Sequence, residues 1–322
     1  MKLDNTDKKL LFLLDQDARA PLTELAGKLR LSREAVNYRI RKMERNGTLR
    51  GFVTKLNPRK LSLINFEVFL KLNNLNATSH SKLIEELRKY GFITWMASLG
   101  GSFDLMIEIT APSPAEFDAA FSMLLDKYSK NISNYHISTR VFQYTYEKKY
   151  LWPEKITNTA GHLGMYAQET SIQLDALDRK IISAIATDAR LSIIDLSKKI
   201  KEAPSTVSFR LRQLEQKGII EGYMTFSRAR DFGYSSFKAL ITVRNFSKDE
   251  ERKLLLFSQA HPNIYYFTKT LGNWNFEMDV EVGSPQEYQQ FLMDFRSKFG
   301  DLIQDIESFS IFEEHKFTMW PY

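Results

Sequence analysis

The sequence predicts an α+β chain that is a tandem duplication, each copy a winged helix-turn-helix followed by a ferredoxin-like βαββαβ domain. Three observations predict it: a self-match at a constant offset of 171 residues, a helical apolar period opening each copy, and alternating strand-like and helical stretches after it. Leu3-Asp4 and Asp7 match Leu174-Asp175 and Asp178, and Asp17-Ala18-Arg19 matches Asp188-Ala189-Arg190. The register runs on without a gap through Arg39, Arg41, Gly47 and Gly51 to Arg210, Arg212, Gly218 and Gly222. It then pairs Gly101 with Gly272 and Ser113-Pro114 with Ser284-Pro285, and slips only where Leu151-Trp152-Pro153 corresponds to Met319-Trp320-Pro321.

Each element has a local reason. Leu10, Leu11 and Leu14, like Ile181, Ile182 and Ile185, give a first helix at helical spacing. Pro21 suits the opening turn of a second, with Leu22, Leu25, Ala26 and Leu29 inward. Ser32 is an N-cap for a third helix whose buried face is Val36, Ile40 and Met43, repeated as Val207, Leu211 and Leu214. Gly47 and Gly218 end it in the left-handed conformation, and Leu49 to Thr54 is strand-like and forms the wing. Then follow a strand over 66–72, a helix over 81–90, strands over 92–99 and 103–109 around the turn Gly100-Gly101-Ser102, a helix from Ser113-Pro114 to Tyr128, and a strand over 132–142. A sheet of this kind is covered by helices on one face only, so its open face is expected to pair. The predicted units are 1–60, 61–150, a polar linker 151–172 in which 163–172 could add a strand, 173–233 and 234–322.

Composition excludes several classes. The 322 residues contain no cysteine, so disulfides and thiolate chemistry are absent. The five histidines form no ligand-spaced pair, and no metal or cofactor is expected. Charged residues interrupt every apolar run, and the polar start Met1-Lys2-Leu3-Asp4 is unlike a signal peptide, so a cytoplasmic location away from membranes is expected. The net charge of +6 is unevenly placed: residues 1–60 carry 15 Lys and Arg against 7 Asp and Glu, and 174–235 carry 11 against 8. A polyanionic partner for the first parts of both copies follows.

The ordered motifs resemble the Lrp/AsnC family of feast/famine transcriptional regulators, present twice. They are Leu3-Asp4-x-x-Asp7, Asp17-Ala18-Arg19, and Val36-x-x-Arg39-Ile40-x-x-Met43-Glu44-x-x-Gly47-x-Leu49-x-Gly51-Phe52, with their second-copy repeats ending Gly218-Ile219-Ile220-Glu221-Gly222-Tyr223. Gly101-x-x-Asp104 resembles the turn of that family's amino-acid-sensing (RAM-type) domain. The resemblance implies a DNA-binding regulator rather than an enzyme. It implies double-stranded DNA and a small effector, for which an amino acid is the candidate, as partners at paired sensing domains, and either a homo-oligomer or an intramolecular pseudo-dimer.

For DNA, the outward face of the third helix carries Arg33, Asn37, Tyr38, Arg41, Lys42 and Arg45: Arg reads guanine edges, Asn reads adenine, and Lys and Arg neutralise phosphates. The second copy offers Ser205, Ser208, Phe209, Arg212 and Gln213, begins with Pro204 where the first has Arg33, and is poorer in charge. Arg39 and Arg210 lie nearer the buried face, where pairing with a carboxylate competes with base contact, and Asp17 and Arg19 shape the first turn. For an effector, the candidates are Gly101, Ser102, Phe103 and Asp104, with Gly272, Asn273, Trp274 and Asn275. Asp104 can accept an ammonium group with charge and Asn275 cannot, which favours the first copy. Trp95, Tyr265, Tyr266 and Trp274 are read as core or interface rather than ligand platforms. Two alternatives remain. One is a sirohaem-decarboxylase-like tetrapyrrole enzyme, for which His261 and Tyr265 are candidates although their first-copy counterparts are Tyr90 and Thr94. The other is a co-regulator that does not bind DNA itself.

Overall fold

The computed structural model describes residues 3–155, 171–244 and 246–322. In the first copy α1 (Asn5–Gln16) opens with a reciprocal capping box between Asp4 and Asp7, α2 (Leu22–Leu29) follows, and α3 (Arg33–Arg45) is capped by Ser32. Pro21 stands just outside α2 as its cap rather than in its first turn. Gly47 has φ +77° and β1 (Gly51–Leu56) follows. The βαββαβ half is β2 (Ile64–Leu72), α4 (Ala77–Leu87), β3 (Ile93–Gly100), β4 (Leu105–Ala111), α5 (Pro114–Tyr128) and β5 (Ile132–Thr145). Here α4 begins earlier than the apolar pattern suggests, because Asn76 and Ser79 form a capping box ahead of it. β4 begins two residues late, because Phe103 and Asp104 are spent on the turn.

The second copy repeats this order as α6 (Ala176–Ile185), α7 (Ile193–Ile200), α8 (Pro204–Gln216), β6 (Ile220–Phe226), β7 (Ser235–Val243), α9 (Lys248–Ala260), β8 (Ile264–Leu271), β9 (Phe276–Val282), α10 (Pro285–Phe299) and β10 (Ile303–Phe317). Of the expected linker, 156–170 lies outside the described residues, and with it most of the possible strand over 163–172; Ser171 and Ile172 are in no strand.

The two copies interlock rather than following one another as beads. β1 does not fold back into a wing hairpin of its own; it pairs antiparallel with β6, Val53 opposite Met224. Around this ribbon the exchange is pseudo-twofold. The Ala18 amide donates to the Tyr223 carbonyl, and its counterpart Ala189 donates to Phe52. Arg19 reaches the Leu191 carbonyl and Arg190 that of Ala18. The Asp17-Ala18-Arg19 motif, read as a turn former, therefore also clamps the copies together. Both helical units share one apolar core that runs from Leu10, Leu11 and Leu14 to Ile181, Ile182 and Ile185. Leu151 and Trp152, at the start of the expected linker, belong to it: Trp152 packs edge-on against Phe12 at 5.9 Å. Trp320 occupies the second copy's position and donates to Ser183.

The two four-stranded sheets each keep the ferredoxin-like order, and their edges join: β5 pairs with β8, and β10 with β3, closing one eight-stranded barrel. Helices α4, α5, α9 and α10 cover its outside over two further cores. The open faces have become the interior. One end is plugged by Phe69, Leu99, Phe103, Met106, Leu240, Trp274 and Phe309.

Candidate nucleic-acid interface and sensing site

The recognition helices keep the expected division of faces. Val36, Ile40 and Met43 are buried, as are Val207, Leu211 and Leu214. Arg33, Tyr38, Arg41 and Arg45 are exposed on α3, with Asn37 and Lys42 half-buried beside them. Arg33 reaches the adjacent Glu34, and Arg45 Nε bonds the Arg41 carbonyl; neither Arg41 nor Arg45 has an ion pair among the described residues. On α8, Ser205 and Arg212 are exposed and Ser208 and Gln213 half-buried. Tyr38 and Phe209, equivalent positions, are 61% and 60% exposed, so each helix holds an aromatic ring outward at the same place.

Arg39 and Arg210 are not on these faces. Arg39 bonds Asp4 and Asp7 at 2.7 and 2.6 Å, and Arg210 bonds Asp175 and Asp178 at 2.8 and 3.5 Å. The Arg39 guanidinium, with the backbone amide of Asp7, outweighs burial and holds the Asp4 carboxyl below its usual range. These arginines tie the third helix of each copy to the N-terminus of its first. The turn between the second and third helices uses a left-handed non-glycine residue in both copies, Arg30 at φ 55° and Lys201 at φ 60°. Nothing in the sequence pattern marks that strain.

The glycine turns serve the barrel. A Cβ on Gly101 would lie 2.8 Å from the Phe309 ring, and one on Gly272 would lie 2.9 Å from the Ser138 Cβ. Each turn thus sits against the last strand of the other half, and close approach demands glycine. Asp104 accepts from the Leu72 amide at 2.8 Å and Asn275 from the Val243 amide at 2.9 Å, the same bond in both copies, so the acid–amide difference leaves this role unchanged. Asp104 also meets Lys71 at 3.3 Å. Ser102 is exposed, and Asn273 bonds His136 at 3.1 Å. Phe103 and Trp274 are both 4% exposed in the barrel plug, and the Trp274 indole donates to Glu277.

Sequence reasoning missed the polar half of the barrel interior. Arg140 bridges Glu67 and Glu108, Lys238 bridges Glu277 at 2.7 Å and Asp279 at 2.9 Å, and Lys148 meets Glu281 at 3.0 Å. Burial works to raise the Glu67 carboxyl, but Arg140 and Lys238 hold it low, whereas burial and the Glu67 charge push the Glu277 carboxyl upward. Burial likewise lifts Glu314, hydrogen-bonded to the Trp95 indole, to about 7. The signal was present in the strands themselves. Glu67, Glu108, Lys238, Glu277, Asp279 and Glu281 interrupt otherwise apolar runs, a pattern that marks a lined interior rather than a dry sheet face. Among the described residues no cluster of three or more His, Asp or Glu could hold a metal ion, and no helix is long and apolar enough to cross a membrane.

Comparison with known proteins places this geometry. The family model of the AsnC-type helix-turn-helix domain matches residues 3–44, and that of a winged helix-turn-helix DNA-binding domain matches 174–221. The proline dehydrogenase transcriptional activator of Rhodobacter capsulatus is 32% identical over 116 residues, 36% of this chain and 75% of that protein. The regulator FL11 of Pyrococcus furiosus is 26% identical over 122 residues, 38% and 80% of the two chains. Among solved structures, the siroheme decarboxylase NirDL superposes with a TM-score of 0.62 at 11% identity, covering 99% of this chain and 94% of its own, a likeness of fold. With its helix-turn-helix units, its barrel of paired βαββαβ sheets and a relative matched over most of its length, this chain belongs to the Lrp/AsnC family of transcriptional regulators, in a tandem-duplicated form.

Proposed function

We propose that the chain binds duplex DNA chiefly through α3, with α8 as a weaker second contact, and that a small effector acting on the sensing barrel alters that grip. The observation that carries the reading is the basic face of α3, where Arg41 and Arg45 stand exposed and outside any ion pair among the described residues. Arg33, Asn37, Tyr38 and Lys42 complete the contact face, and Ser205, Ser208, Arg212 and Gln213 form its weaker counterpart. A single chain supplies both helices on one shared core, so the unit that engages DNA is a pseudo-dimer. Arg41→Ala combined with Arg45→Ala is expected to weaken binding to the DNA upstream of the protein's own gene. The log–log salt slope should shrink by about two, one for each phosphate no longer neutralised. Wild-type protein that binds neither that DNA nor random duplex at low salt would overturn the reading.

A second reading, tetrapyrrole chemistry, is favoured by one observation, the fold likeness to NirDL along the whole chain. Against it, His261 packs on Phe257 and Phe291 beneath the outer helices, while Tyr265 lines the barrel interior, so the two do not converge. Absorption spectra during titration with an iron porphyrin separate the two: a stoichiometric spectral shift would support the second reading.

A further inference from the structure

The recognition helices α3 and α8 belong to one chain, stand on one apolar core and are related by the pseudo-twofold exchange around the β1–β6 ribbon. In a dimer of identical chains the two helices would carry the same residues and read the same bases. Here they do not. At the 171-residue offset Arg33 becomes Pro204, Asn37 becomes Ser208, Lys42 becomes Gln213 and Arg45 becomes Gln216. Three cations are thus replaced by neutral groups. Asn37 can bridge an adenine edge with two hydrogen bonds, whereas Ser208 offers a single hydroxyl.

One feature of the outward faces survives this divergence. Ten large apolar or aromatic side chains are exposed among the described residues, and the offset relates only two of them, Tyr38 and Phe209. Three residues on, Arg41 and Arg212 are both exposed as well. Phe209 has no hydroxyl, so what the two positions share is an apolar ring and not a hydrogen bond. In the major groove the apolar group that a base pair presents is the C5-methyl of thymine. Rings left 61% and 60% exposed gain by covering such a methyl on binding.

We propose that a single chain reads an asymmetric operator in one orientation. Its two half-sites share a thymine, whose methyl packs on Tyr38 in the first and on Phe209 in the second. They differ beside it, with an adenine for Asn37 in the first half-site only. This rests on the DNA-binding reading of α3 and α8 and adds to it the base and the polarity. A chain bound in this way presents its first copy toward one side of the operator and its second copy toward the other.

The test incubates the full chain with random-sequence duplexes of roughly 30 base pairs, room for two half-sites one helical turn apart, and sequences those retained. Two unequal half-sites sharing a thymine are expected. Replacing either shared thymine by uracil removes only the methyl and should weaken wild-type binding about threefold. Tyr38→Ala should abolish that penalty in the first half-site alone and Phe209→Ala in the second alone, whereas Tyr38→Phe should keep both. Both rings are exposed, so the thermal unfolding of these variants should match wild type. Because the chain has no cysteine, Glu44→Cys on α3 carries an iron chelate at one place, and its cleavage should fall in the first half-site only. A palindromic site, equal cleavage in both half-sites, or a uracil penalty that survives both alanine variants overturns the proposal. Duplex binding with no sequence enriched also overturns it and leaves the DNA-binding reading standing. A chain that retains no duplex even at low salt removes both.

Discussion

At the scale of single residues, the arginines divide into structural and outward-facing sets, and the division has measurable consequences. Arg39 lies on the same helix as Arg41, yet it is committed to Asp4 and to Asp7, which is 2% exposed. Arg39→Ala strands a buried carboxylate and should cost roughly 1–3 kcal/mol of stability, read as a lower denaturant midpoint. Arg41→Ala, on the exposed face, should leave stability within about 0.5 kcal/mol while weakening DNA binding. Equal stability losses for the two would contradict this division. Sequence reasoning had placed Arg39 correctly from its helical phase, since it lies next to the Val36 and Ile40 stripe. Glu314 was not legible, because its neighbour Trp95 comes from the other copy, 219 residues away. Its carboxyl is raised by burial to about 7 from the usual 4.5. Between those values the folded chain holds a proton that the unfolded chain has lost, so this stabilisation is full below about pH 4.5 and is lost as pH rises to about 7. Glu314→Gln keeps an acceptor for the Trp95 indole and removes the titration. Its Tm should therefore fall less than that of wild type between pH 5 and 7.5, and parallel curves would refute the assignment.

At the scale of elements, local chemistry decided most of what could be read. Helix periods, the Ser32 cap and the Gly47 and Gly218 stops were all legible, because each depends on residues within a turn or two of itself. The pairing of β1 was not. Its strand character is local, but whether it turns back on itself or joins β6 depends on contacts such as the Thr54 hydroxyl donating to the Ile185 carbonyl at 2.7 Å, 131 residues away. The glycine turns show the same boundary: Gly101 was seen to need freedom, but the crowding against Phe309 that imposes the need lies 208 residues further along. Two glycines of the first helical unit test the local part. Gly27 lies inside α2 with open space around its Cβ position, so Gly27→Ala should stabilise by about 0.5–1 kcal/mol. Gly47 has equal space but φ +77°, so Gly47→Ala should destabilise by about 1 kcal/mol through backbone strain alone. Differential scanning calorimetry should move Tm in opposite directions for the two, and a shared sign would mean that the termination of α3 at Gly47 is not what sets its conformation.

For the molecule as a whole, duplication has turned what separate chains would have to assemble into an intramolecular closure. An open face and two free edges per sheet predicted that something must pair; the barrel shows that the partner is the other half of the same chain. The duplicated interior is no longer symmetric: the counterpart of Glu67 is Lys238, while that of Glu108 is the like-charged Asp279, and Arg140 and Lys238 each pair with carboxylates of their own half. The Glu67 carboxylate draws on both Arg140 of its own half and Lys238 of the other. A fragment ending near residue 155 would keep α1 to α5 and β1 to β5. It would also expose the edges of β3 and β5, half of the shared helical core, and the Arg140–Glu67 pair without its opposing Lys238. Self-pairing of such a fragment would bring two copies of Glu67 together with no Lys238 between them, an arrangement whose repulsion inside the barrel opposes closure. The fragment is therefore expected to aggregate or to form a loose dimer at neutral pH. Adding the complementary fragment from residue 171 onward should restore a one-to-one complex with a single cooperative transition. Analytical ultracentrifugation decides the matter, and a folded, monomeric first half would show that the interlock is dispensable. Replacing Glu67 with Gln in that fragment should ease its self-pairing, since the repelling charges are then gone while the interior shape is kept.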